Sequence, residues 1–139
     1  MNLEELAKSN YVLYNDKAYR ICFVDCGKLN LENENQKDLD VYAVNVKPLP
    51  ITEELLVKSG FFHDFDTEVA YPDDSMFLVS PDKQITLHNA KDYINSENIW
   101  SVHIDNSDFN SVANCELSYV HQLQNLCTIA NYKLQLTLN

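Results

Sequence analysis

Two groups of side chains are spaced so that they could do chemistry. The first is Tyr119-Val120-His121-Gln122-Leu123-Gln124-Asn125. On a helix His121 and Asn125 stand one turn apart, and histidine serves readily as a base or metal ligand. No carboxylate or nucleophile accompanies it in sequence. The face formed by Tyr119, His121, Gln122, Gln124 and Asn125 is therefore read as a hydrogen-bonding surface that meets a protein partner or the protein's own sheet. The second group is Asp64, Asp66 and Glu68, followed by Asp73 and Asp74. Alternation along a strand would put the first three on one face, where oxygen ligands could hold a hard cation. With Asp73 and Asp74 they would form a strip of spaced charges imitating a phosphate backbone. The solvated face of an antiparallel sheet gives the same alternation without any ligand.

Other chemistry finds little footing. His63, His88, His103 and His121 have neither zinc-finger nor metalloprotease spacing, Gly27 and Gly60 are the only glycines, and no Gly-x-Ser-x-Gly elbow occurs. His103 and Asp105 point outward from a strand whose inward residues are Trp100, Val102 and Ile104. Cys22 and Cys26, read as lying in one strand, would be about 13 Å apart, beyond disulfide reach. The four cysteines are therefore expected as buried, reduced thiols. No catalytic, cofactor-binding or metal residue is expected, and the chain is not read as an enzyme.

These side chains must be positioned by elements that the pattern of the chain specifies. Tyr11 to Tyr14 and Ala18 to Val24 are β-rich runs around the turn residues Asn15-Asp16-Lys17. Leu29 and Leu31 begin a third strand, Glu32 to Asp40 is a solvated loop, and Val41 to Val46 is a fourth strand. Pro48 and Pro50 close this unit. A short linking helix follows, with Thr52 as N-cap, Glu53 and Glu54 in its first turn, Ile51 stapling onto Leu56, and Gly60 as a left-handed stop.

From Phe61 the period returns to two. His63 to Val69 is predicted as a strand, and Ser80-Pro81-Asp82-Lys83 as a type I turn joining Met76–Val79 to residues 84–88. Asn89 to Glu97 is loop or a single helical turn, Ile99 to Ile104 a strand, and Asp105 to Asn114 loop. Ser118 caps a helix with the apolar stripe Val120, Leu123, Leu126, Cys127 and Ala130, Asn131 ends it, and Tyr132 to Leu138 closes the chain as a strand. The fold class is α+β: a small N-terminal antiparallel sheet or partly open barrel (1–50), then a second antiparallel sheet with the C-terminal helix packed on it (51–139).

Length and charge bound the partners. The 139 residues, 45% apolar and with 8 Tyr and 6 Phe, suit one compact unit rather than a disordered chain. Ten basic groups face 21 acidic ones for a net charge of −11, and both halves share the excess: 7 basic against 13 acidic over 1–70, and 3 against 8 over 71–139. Direct binding of nucleic acid is disfavoured by repulsion. No leader-like or membrane-spanning run is visible.

Two stretches carry a resemblance when taken together: Val46-Lys47-Pro48-Leu49-Pro50-Ile51-Thr52-Glu53-Glu54-Leu55-Leu56-Val57-Lys58-Ser59-Gly60-Phe61 and Tyr119-Val120-His121-Gln122-Leu123-Gln124-Asn125-Leu126. With the opening Tyr11-Val12-Leu13-Tyr14 they resemble a family of small uncharacterised proteins of Bacteroidetes phages, prophages and mobile elements. The resemblance implies an origin in a bacterial host, with the protein in the host cytoplasm or the virion, and supplies no activity. The expected function is that of a non-enzymatic accessory protein that binds another protein, host-encoded or a second copy of itself. The alternative is an acidic inhibitor that imitates nucleic acid before a host defence or DNA-binding protein.

Overall fold

The computed structural model describes residues 5–70, 75–89, 99–105 and 112–138. The class is α+β: two five-stranded antiparallel sheets with short helices. The chain forms two units, but the division is not a single cut at Pro50. One unit comprises Met1–Pro50 with Tyr119–Asn125, the other Ile51–Ser118 with Leu126–Asn139.

In the first unit β1 (Tyr11–Tyr14) and β2 (Lys17–Asp25) join through Asn15-Asp16, both at positive φ (50° and 61°). This is the turn geometry that matches the twist of paired strands. Cys26-Gly27, at 38° and 83°, repeats it before β3 (Lys28–Glu32). β4 (Leu39–Tyr42) pairs with β3, and β5 (Lys47–Pro48) returns to β1, giving the order β4-β3-β2-β1-β5. Val12, Tyr19, Ile21, Leu29, Leu31 and Val41 form the core of this unit, joined by Leu6, Ala43 and Val46.

Two expectations are corrected here. The fourth strand starts earlier, at Leu39, and stops at Tyr42, because Ala43–Asn45 make a 3-10 turn in which Val46 N–H donates to the Ala43 carbonyl (3.3 Å). That turn lets Ala43 and Val46 both reach the core. Nor do all four cysteines sit inside: Cys26 is exposed in its turn, while Cys127 is buried and its thiol is pushed up to about 12 by desolvation.

The second unit opens with α1 (Glu53–Lys58), whose local signals act as expected. Thr52 Oγ1 accepts from Leu55 N–H (3.1 Å), Phe61 N–H donates to the Leu56 carbonyl and Gly60 N–H to that of Val57. These last two bonds are the Schellman pair. A helix this short does not stand alone, and Leu56, fully buried, anchors it. Gly60 has φ +95°, and a Cβ there would lie 3.2 Å from Pro81 Cγ. Gly60→Ala is therefore expected to cost about 1–2 kcal/mol, read as a lower urea midpoint at unchanged slope.

The sheet of this unit runs β10-β9-β8-β7-β6, from β6 (Phe62–His63), β7 (Met76–Val79), β8 (Ile85–Asn89), β9 (Trp100–Ile104) and β10 (Val112–Leu117). β9 buries Trp100, Val102 and Ile104 and exposes Ser101 and His103, as its alternation requires. Three assignments differ. Residues 65–69 are a helix, α2 (Phe65–Val69), not a strand. Its apolar Phe65 and Val69 face solvent, at 67% and 86% exposure, so their spacing was no guide to a buried face. β10 takes up residues 112–114, expected as loop, since pairing with β9 and not intrinsic preference makes the strand. Finally, 132–138 lie in no strand; Tyr132 is held by its hydroxyl on Asp82 (2.8 and 3.0 Å) and Thr137 N–H by Ser59 Oγ (2.8 Å). The segment read as loop or helical turn over 89–97 falls, apart from Asn89 at the end of β8, outside the described residues.

The last helix, α3 (Val120–Ile129), begins one residue later than expected, so Tyr119 and not Ser118 flanks it. Gln122 reaches back to accept from Tyr119 N–H (3.2 Å), half of a capping box. Asn131 ends it at φ 55° with Tyr132 N–H on the Cys127 carbonyl (2.8 Å). The helix was expected to pack on the second sheet, and its residues from Leu126 belong to that unit. Its residues through Asn125 belong to the first unit.

Candidate functional site

The polar face of α3 is consumed within the first unit. Gln124 Oε1 accepts from Tyr11 N–H (2.8 Å) at the head of β1, and its Nε2 donates to the Ser9 carbonyl (3.0 Å). Asn125 Nδ2 donates to the Glu5 carbonyl (2.8 Å), while its Oδ1 accepts from Asn10 Nδ2 (3.0 Å). Asn10 Oδ1 in turn accepts from Ala7 N–H (2.8 Å). The amides thus tie down the segment leading into β1, giving partners to the Tyr11 N–H and to the Ser9 and Glu5 carbonyls.

His121 is fully buried. Its ring stacks on Tyr119 with centroids 6.0 Å apart, and its Nε2 lies 3.3 Å from Glu5 Oε2. Nδ1 has no partner among the described residues. A general base must reach the proton it removes, and a side chain with no exposed surface does not. Gln124 and Asn125 thus contact the protein's own chain, at Glu5, Ser9 and Asn10 and at Tyr11 of β1.

The acidic residues are distributed rather than aligned. Asp64 is the N-cap of α2: its carboxylate accepts from Thr67 N–H (3.2 Å) and Thr67 Oγ1 (2.7 Å), bonds that hold it below the usual carboxylate range. Asp66 is exposed. Glu68 turns back, and its Oε1 accepts from Phe77 N–H of β7 (2.9 Å) and lies 2.7 Å from His63 Nδ1. The single strand face expected for Asp64, Asp66 and Glu68 does not exist, because the residues sit on a helix and its cap. Asp73 and Asp74 lie outside the described residues.

This arrangement assembles a cluster that the sequence reading missed. His63 Nε2 is 2.9 Å from Glu53 Oε1 of α1, so both ring nitrogens face carboxylate oxygens, and the ring stacks on Phe65 (5.2 Å, 13°). The hydrogen bond to Glu68, foremost, raises His63 above its ordinary 6.5; partial burial opposes this, and the Glu53 bond adds to it. The only available signal was the His63-to-Glu68 spacing, which brings the two together only if 65–69 is helical. His88 is placed differently, stacked on Phe77 opposite it in the sheet (4.1 Å, 7°). Among the described residues no group of three His, Cys, Asp or Glu side chains is arranged to hold a metal ion, and no helix is long and apolar enough to cross a membrane.

The chain matches no family model, no curated protein and no solved structure. Its chemistry must be read from its own surface. Among the described residues, part of the first sheet departs from an ordinary polar exterior. A β-bulge at Cys22 sets Ile21 opposite Leu31 but Phe23 opposite Asn30, so Phe23 turns outward. Phe23 is 62% exposed, Tyr42 58% and Val44 78%. Val24 also keeps 47% of its surface. Lys28 sits over the Tyr42 ring (5.3 Å), fixing that side chain at the end of β4, an edge strand of the sheet.

Proposed function

We propose that the protein is a phage or prophage accessory protein that acts without catalysis by binding another protein, and that the exposed end of the first sheet is where it binds. The observation that supports this reading is that Phe23 and Tyr42, which the register places on the same outer face of the first sheet, are both exposed, Tyr42 on an edge strand. Scattered apolar residues are normal on a surface, but a group of them beside unpaired strand backbone suits a protein partner. The face of α3 first considered for this role is occupied within the chain. Asp64, Asp66 and Glu68, on which imitation of nucleic acid rested together with Asp73 and Asp74, do not share a strand face.

The test is affinity capture from lysate of a Bacteroidetes host with the wild type and with Phe23→Ser/Tyr42→Ser. The double variant removes exposed groups, so its stability should change by less than about 1 kcal/mol. A discrete protein enriched by the wild type and lost from the variant is the expected result. Equal enrichment by both, or none by the wild type, counts against the reading.

A further inference from the structure

His63 stands where three elements of the second unit meet: Glu53 approaches from α1, Glu68 from α2, and β7 contributes the Phe77 N–H that Glu68 also holds. Among the described residues no other cation pairs with the two glutamates. Lys58, the basic residue of α1, pairs with Glu54 at 3.5 Å, Asp64 is turned to Thr67, and Asp66 is exposed. A neutral imidazole carries one N–H and one lone pair, so it donates to one carboxylate only and turns a lone pair on the other. The observed geometry, with ring nitrogens 2.7 and 2.9 Å from two carboxylate oxygens, is that of the imidazolium.

We propose that His63 is a proton-operated tie: doubly protonated it bridges α1 and α2, and on losing its Nε2 proton it releases Glu53 while keeping Glu68. The asymmetry follows from the two partners. Glu68 is the nearer and the more enclosed, with its side chain 15% exposed, and the Phe77 N–H fixes it in place. Glu53 is 47% exposed and can turn into water. The neutral ring therefore keeps its proton on Nδ1. Because the folded protein holds His63 above 6.5, the stabilisation is complete below the unfolded value and disappears as pH rises through the folded one. The link between the two short helices thus loosens with rising pH while α2 stays fastened to β7.

Imidazole nitrogen shifts of the uniformly ¹⁵N-labelled full chain, followed from about pH 5 to beyond pH 8, read both the midpoint and the tautomer. A His63 midpoint above 6.5 is expected, lowered in Glu53→Gln and lowered further in Glu68→Gln, with Nδ1 protonated at the alkaline end. A midpoint at or below 6.5, an Nε2-protonated neutral form, or a Glu53→Gln midpoint equal to that of the wild type would overturn the proposal. If Glu68→Gln does not fold, the wild type and Glu53→Gln, altered only at an exposed side chain, decide the matter.

Discussion

Trp100→Ala should lower the unfolding free energy by about 3–5 kcal/mol, at or near the limit of what a domain of this size tolerates. Trp100 is 1% exposed and is the largest fully buried side chain. It lies on β9, between β8 and β10, so truncation opens a void that a paired sheet cannot easily collapse to fill. Its Nε1–H also donates to the carbonyl of Ile51 (3.1 Å), itself next to the cap of α1 and fully buried. Alanine removes that donor as well as the ring. Trp100→Phe separates the two effects, keeping most of the volume and losing the donor, for a smaller cost of about 1–3 kcal/mol. Since the chain has one tryptophan, urea unfolding should be followed by far-ultraviolet circular dichroism. An alanine variant as stable as the wild type would mean that β9 is not the core strand described.

Gln124→Ala is the second large effect, and it bears directly on function. The substitution leaves the half-buried Tyr11 N–H without its partner, while the exposed Ser9 carbonyl turns to water, and a buried donor left unpaired costs about 1–3 kcal/mol. The expected signature is a loss of global stability with faster hydrogen exchange at the Tyr11 amide. Asn125→Ala should act similarly through Glu5 and Asn10. The double variant should depart from additivity, because both side chains grip the same stretch of chain. A surface reserved for a partner would behave otherwise: both substitutions would leave stability within about 0.5 kcal/mol. That outcome would return the face to consideration as a docking site.

The legibility of this fold tracks how local its determinants are. α1 could be read from Thr52 to Gly60 because its cap, its charges and its stop lie within one short stretch. The turns at Asn15-Asp16 and Ser80–Lys83 are equally local, and in β9 the alternation coincides with burial. α2 was misread because its apolar residues face water, leaving Asp64 as the sole valid signal. β10 depends on its neighbour. The candidate site fared likewise. Gln124 and Asn125 were recognisable as a polar face, but their partners lie more than a hundred residues away, and His63 meets Glu53 and Glu68 only after three elements have assembled. The exposed apolar end of the first sheet depends on a bulge that no local pattern marks.

The division of α3 has a consequence for the order in which the protein takes shape. Within residues 5–11, Glu5, Ser9, Asn10 and Tyr11 each hydrogen-bond to Gln124 or Asn125, up to 120 positions later in the chain. On the ribosome the first sheet therefore emerges before the residues that fasten its leading segment. It must wait while 51–118 are translated, several seconds at about 5–20 residues per second. Contacts this distant in sequence also slow the final closure. The first four strands can form early, but the first unit is finished only after residues 119–125 have been made.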